Sequence, residues 1–333
     1  MTKLVLIDGH AILHRAYHAF PPNLKTRKGE LVNAVYGFTR MLLTVIHDLN
    51  PECIAVAFDL PGPNFRHQEF VGYQAQRPKT DIELTDQIER VKEVVGAMNI
   101  PIFTKAGFEA DDVIGTLARQ ATEFRIPNKE SRIKDKKPNS KFDIRYSKIE
   151  VIIVTGDKDI LQLVDKNTKV MMPQRGFGEA VLLGEDEVKS KMGVKASQIV
   201  DYKGLVGDPS DNYPGVLGIG PKTAINLLNE YGSLDGIYKN LSKIKNERLR
   251  QKLIDNKDNA YLSYKLATIV RDAPVKLEIV KCAVHDYDKN KVVDLFTELE
   301  FRSLLKKLPG VELVAEPVKV NKKVVNKNQQ KLF

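Results

Sequence analysis

Cysteine is nearly missing from this chain: its 333 residues hold two, Cys53 and Cys282. They share no metal-type spacing, so a reducing cytoplasm is the expected compartment. No apolar run approaches the roughly 20 residues of a membrane span. The opening, MTKLVLIDGH, has a short apolar run ending in Asp8, which suits a first strand and not a secretory signal. Internal repeats are absent, as is a convincing Ser–His or Cys–His arrangement for nucleophilic catalysis. His10, His14 and His18 recur at a spacing that puts them on one helix face, but no cysteine or further cluster completes a zinc site. Gly215 and Gly220 have a P-loop separation, yet Pro221 stands where that motif needs lysine.

What the chain does have is charge, unevenly placed. The net charge is +9. Residues 125–150 carry nine Lys/Arg against four Asp/Glu, and residues 317–333 carry five lysines and no acid. The basic character therefore sits in an expected surface insertion (125–150) and an expected disordered tail (311–333), leaving the body near neutrality. The 42% hydrophobic content suits a soluble protein with a real core.

The first 184 residues alternate strand and helix. Buried strands are predicted at 4–8, 53–59, 100–106 and 150–157, with helices at Val35–Leu49, Leu84–Met98 and after Glu109. That pattern predicts an α/β fold with a mainly parallel sheet covered by helices on both faces. From about residue 185 the pattern is helical: Asp186–Met192, Ser197–Leu205, Pro221–Tyr231, Glu247–Asp255 and Ala260–Ile269.

Parallel sheets collect ligands at the carboxyl ends of their strands. Asp8, Asp59 and Asp157 end predicted strands, and Asp159 follows closely. FEADDVIGTLA adds Glu109, Asp111 and Asp112 at one helix start. A helix N-terminus favours one or two acids, but neighbouring acids repel by about 4 kcal/mol per pair at an effective dielectric near 20. Oxygen ligands without Cys or His nearby point to Mg²⁺ or Mn²⁺. GDPSDNYPGVLGIGPKTA adds Asp208 and Asp211, then Gly218 and Gly220 before Pro221, Lys222 and Thr223. It reads as a helix–hairpin–helix turn whose backbone N–H groups meet a nucleic-acid phosphate; a plain helix–helix connection is the alternative.

With these residues in view the chain resembles the bacterial 5′ nuclease family, the 5′–3′ exonuclease domain of DNA polymerase I and its stand-alone relatives, akin to flap endonucleases. VLIDGHAILHRAYHA, AVYGF, VAFD, FRHQEFVGY, GFEADDVIGTLA, VTGDKDILQLV and the 207–224 block carry the resemblance, and LEFRSLL is similar to the closing helix. It implies a PIN-like α/β catalytic domain over 1–184, with a helical arch near 62–85, and a helical DNA-binding domain over 185–310. It also implies two divalent ions per site. Asp8, Asp59, Glu109 and Asp111 would hold the first, and Asp157, Asp159 and Asp208 the second. Asp112 and Asp211 match acids shared by bacterial members, and would complete the metal set as groups acting through water. Arg15, Arg66, Tyr73, Gln74, Arg77 and Lys158 would contact DNA with the hairpin residues, and K⁺ would bind near Gly218–Gly220. The family has Tyr-Lys in the arch where this chain has Tyr73-Gln74.

The implied activity is phosphodiester hydrolysis at 5′ flaps, nicks and single-stranded 5′ ends, including RNA-primer/DNA hybrids, by a monomer in the cytoplasm near the nucleoid. QQKLF, with Gln329, Leu332 and Phe333, is similar to the peptide that hooks bacterial replication proteins onto the sliding clamp. A clamp-tethered junction-binding adaptor with weakened catalysis, and a PIN-like ribonuclease, are the alternatives.

Overall fold

Both faces of the first strand are apolar, and each face feeds a different core. Val5 and Ile7 pack with Ile12, Phe38 and Leu42 on one side. Leu4 and Leu6 pack with Val113, Ile114 and Leu117 on the other. A strand covered on both sides needs no polar alternation, which is why its sequence reads as one apolar run.

The computed structural model describes residues 2–77, 81–124, 133–134, 143–144, 148–173, 180–284 and 286–309. The first part contains β1 (Thr2–Asp8), α1 (Gly9–Ala19), α2 (Asn33–Leu49), β2 (Cys53–Ala57), α3 (Phe65–Glu69), α4 (Ile82–Ala97), β3 (Ile102–Phe103) and α5 (Ala110–Glu123). After it come β4 (Ile133–Lys134), β5 (Asp143–Ile144), β6 (Ile149–Val154), β7 (Thr168–Pro173) and β8 (Ala180–Leu183). The helical part holds α6 (Glu185–Met192), α7 (Ile199–Val206), α8 (Pro221–Tyr231), α9 (Leu234–Lys239), α10 (Glu247–Asp255), α11 (Lys257–Ala267), α12 (Lys289–Glu298) and α13 (Arg302–Leu305).

Six strands form one sheet in the order β3-β2-β1-β6-β7-β8, parallel except for the antiparallel edge strand β8. The strand expected over 100–106 shrinks to Ile102 and Phe103 at the opposite edge. Pro101 has no N–H to donate, although its carbonyl still accepts from Val56. β7 and β8 escaped the sequence reading, being short runs next to residues 174–179, which lie outside the described set. Within the 125–150 insertion the described residues form the two-residue ladder of β4 and β5 and, at Ile149 and Glu150, the start of β6.

The helical part is not a separate core. Val188, Leu205, Leu227, Ile237 and Leu253 belong to the same apolar cluster as the sheet residues Val151 and Ile153. Residues 289–308 pack on the α2/α4 face through Val292, Phe296, Phe301 and Leu304. Their apolar positions fit a helix on any partner, so only the packing could reveal which layer they cover.

Candidate active site

Parallel pairing of β1 with β2 and β6 brings three strand ends to one edge. Asp8, the last residue of β1, caps α1: Oδ1 accepts from Ala11 N at 3.0 Å, and Oδ2 accepts from Thr155 Oγ1 at 2.7 Å. The Thr155 hydroxyl also accepts from Asp157 N at 3.0 Å. One buried threonine therefore ties the acid of β1 to the loop after β6. Asp59 follows β2, and its Oδ1 accepts from Ala110 N at 2.6 Å, seating the start of α5 against the sheet. Its own N–H donates to His10 Nδ1 at 3.0 Å.

Carboxylate oxygens of Glu109, Asp111 and Asp112 lie within 4.8 Å of one another, but the three differ in what they touch. Asp112 is fully buried, and each of its oxygens accepts from Arg66 at 2.8 Å. It also accepts from the backbone N–H of Glu109 and of Val270. Asp112 is thus one half of a buried ion pair while its carboxylate stays in the group with Glu109 and Asp111. Arg66, expected on DNA, is 1% exposed, and its five N–H donors reach Glu109, Asp112 twice, and the carbonyls of Leu266 and Thr268. A guanidinium has five donors in all, so none is left for a phosphate. Tyr73, also expected on DNA, is 4% exposed and donates its hydroxyl to Glu109 at 3.2 Å.

Glu109 is the hub of this corner. Its Oε1 accepts from Asn64 at 2.6 Å and Gln74 at 3.3 Å, and its Oε2 from Arg66 and Tyr73. The Gln74 amide also reaches Asp211 at 3.2 Å, linking the two halves of the acidic site. Arg77 adds a 2.8 Å bond to Asp211 and remains half-exposed.

The second group comprises Asp159, Asp208 and Asp211, whose oxygens also lie within 4.8 Å of one another. Asp159 N donates to Asp157 Oδ1 at 2.8 Å. Ser210 donates twice to Asp208 Oδ1, from its N–H at 2.8 Å and its hydroxyl at 2.5 Å. Lys203 on α7 inserts its ammonium between Asp159, at 2.6 Å, and Asp208. Sequence reasoning missed Lys203 and Thr155, because neither stands at a spacing that signals a ligand.

Asp157 touches both halves of the site electrostatically: its charge acts on Asp8, Asp111, Asp159 and Asp211. Burial, then Asp59 and Asp157, push Asp8 up to about 7 against the restraint of Ala11 and Thr155. Burial and Asp157 push Asp159 up to about 6 despite Lys203. Burial with Asp112 and Glu109 raises Asp111 well above the carboxylate range. Asp208 goes the other way, since Lys203 and Ser210 outweigh its burial. Buried oxygens that raise one another in this way call for added positive charge, and an all-oxygen set suits a hard divalent cation.

Beside the acids lies an open cleft of about 480 Å³, lined by His14, Arg15, Asp157, Lys158, Lys203 and Asp208. Arg15 and Lys158 thus line the cleft beside the acids. The hairpin follows directly from the Asp208–Asp211 loop. Gly218 has φ +77°, Gly220 caps α8, and Pro221, Lys222 and Thr223 open it. Lys252 donates to the Gly218 carbonyl at 3.1 Å. Gln329, Leu332 and Phe333 lie outside the described residues.

Residues 3–130 match the model of the 5′-3′ exonuclease N-terminal resolvase-like domain, and residues 194–290 that of the 5′-3′ exonuclease C-terminal SAM fold. The chain belongs to the 5′-3′ exonuclease family. It is 41% identical to DNA polymerase I of Caldicellulosiruptor bescii over 94% of this chain and 34% of the relative. With DNA polymerase I of Bacillus subtilis it shares 36% over 92% of this chain and 32% of that protein. The chain thus spans about a third of the length of these curated relatives. A structure of T5 5′-exonuclease with bound zinc matches with a TM-score of 0.62 at 17% identity, covering 89% of this chain and 99% of that one. The catalytic core of Rad2 with DNA substrate matches with a TM-score of 0.55 at 15% identity, covering 90% and 87%. These likenesses agree with the 5′-3′ exonuclease fold, and as a member of the family the chain is a nuclease.

Proposed function

We propose that the chain hydrolyses DNA phosphodiesters at 5′ flaps, nicks and single-stranded 5′ ends, using two divalent ions, Mg²⁺ or Mn²⁺. The observation that carries this reading is the convergence of carboxylates from β1, β2, α5 and the loops after β6 and α7 beside a cleft lined with basic side chains. Asp8, Asp59, Glu109 and Asp111 would hold one ion, and Asp157, Asp159 and Asp208 the other. Bound there, the ions would lower the pKa of a water and neutralise charge on the scissile phosphate.

The chain's own residues do the rest. Thr155 holds Asp8 and the Asp157 loop in register, so both groups keep their positions without reorganisation. Arg15 and Lys158 grip the phosphate in the cleft. Backbone N–H groups at the start of α8 hold a second phosphate without reading bases. The T5 flap endonuclease with DNA and metal ions, and Rad2 with DNA substrate, support the choice of polymer.

The role that follows is removal of primers and flaps during replication and repair, with clamp capture through residues 329–333. The test is a labelled 5′-flap, a gapped duplex and single-stranded RNA, each with Mg²⁺ or EDTA. Cleavage of the flap only with Mg²⁺, lost in Asp157→Ala with the circular-dichroism spectrum retained, is expected. Full cleavage by Asp157→Ala, or preference for RNA, would end the reading. For the clamp, undiminished pull-down after deleting 329–333 would remove that part.

A further inference from the structure

The acidic site contains two internal cations of different kinds. Arg66 is locked: it is buried, and its five donors are committed to protein acceptors. Lys203 is not locked in this way. Its two carboxylate partners, Asp159 and Asp208, are also members of the second oxygen cluster, and Lys203 itself lines the open cleft. An ammonium carries a single charge on a flexible four-carbon stem, unlike the planar fork of arginine. It contacts the oxygens that a divalent ion in this cluster would need.

We propose that Lys203 is an exchangeable counter-ion of the second cluster, holding Asp159 and Asp208 together until a divalent cation displaces it, and then turning into the cleft toward the DNA backbone. The inference rests on the divalent-ion reading of the site. Its physical basis is competition: two positive charges cannot share those oxygens without strong repulsion. Asp208 is arranged for the exchange, since Ser210 occupies Oδ1 and leaves Oδ2 to Lys203 alone. The cleft gives the displaced ammonium a polar destination beside Arg15 and Lys158. Cation loading and the grip on the substrate would then be one coupled event, with a positive group delivered to the cleft only when the ion has arrived.

The experiment is Mn²⁺ binding to substrate-free protein, followed by the paramagnetic resonance of free Mn²⁺, for the wild type, Lys203→Gln and Lys203→Arg. Lys203→Gln is expected to bind the weaker class of Mn²⁺ at least about tenfold more tightly, because a competing charge is gone. The same variant should melt lower than wild type in EDTA and regain the difference with Mn²⁺, whereas Lys203→Arg keeps the metal-free melting temperature. With Ca²⁺ in place of Mn²⁺, Lys203→Gln should also bind 5′-flap DNA more weakly than wild type. Unchanged or weaker Mn²⁺ binding by Lys203→Gln, with wild type binding normally, overturns the exchange and leaves the divalent-ion reading intact. No Mn²⁺ binding by any of the three proteins overturns both.

Discussion

Arg66 and Gln74 are separated by two turns of chain and serve one carboxylate, Glu109, in different ways. Arg66 neutralises buried charge, and its removal would leave Asp112 without its partner in a fully buried position. Arg66→Ala should therefore cost about 3–5 kcal/mol of stability, the usual penalty for stranding a buried ion. Urea unfolding monitored by circular dichroism measures it, and a loss below about 1 kcal/mol would show that the buried pair is not needed for stability. Gln74 supplies no charge, but its amide bridges Glu109 and Asp211 from a backbone with φ +55°. Gln74→Lys would put an ammonium between the two acids. Flap turnover under single-turnover conditions should rise, and a rate at or below wild type would indicate that the amide is sufficient.

The element that most needs its local geometry is the loop joining α7 to α8. It carries Asp208 and Asp211 and then turns at Gly215, where φ is +61°. A Cβ on Gly215 would come within 2.3 Å of the Gly207 nitrogen, a backbone atom that cannot step aside. Gly215→Ala should lose about 2 kcal/mol or more, and the loss should appear together with weakened Mn²⁺ binding, because the same close approach sets the Asp208–Tyr213 bridge. A variant of wild-type stability and Mn²⁺ affinity would show that the loop tolerates rearrangement. In α5, by contrast, the N-terminal acids are over-determined. Asp59 holds the Ala110 N–H, Asp112 caps Glu109, and Arg66 holds both Glu109 and Asp112.

For the molecule as a whole the acidic site is a source of instability when no cation is bound. Asp8 rises from an ordinary 3.8 to about 7, and Asp159 to about 6. In folded protein these groups hold protons that the unfolded chain has already released. Their contribution is therefore complete at low pH and is lost as pH climbs toward 7. In EDTA the melting temperature should fall between about pH 5.5 and pH 8 from these groups. Mg²⁺ requires the deprotonated carboxylates, so its stabilisation should be larger at the upper end of that range. Differential scanning fluorimetry at both pH values, with EDTA or Mg²⁺, tests this. A Mg²⁺ shift that is equal at both would detach the ion from these acids.

The parallel α/β pattern, most helix boundaries in the second half and the positions of the strand-end acids were legible from the chain alone. Those features depend on local periodicity and on motifs contiguous in sequence, such as DGH, EADD and GDKD. What the acids do to one another was not legible, because it depends on atoms brought together from distant segments. Arg66 and Tyr73 look like surface groups on an arch, yet the chain at 266–268 closes over them and turns both inward. Lys203 looks like one more helix lysine until the turn at 207–215 swings Asp208 back onto it. Tertiary packing alone decided which charges are sealed in pairs and which remain exchangeable, since burial sets whether a charge can afford to lose its partner.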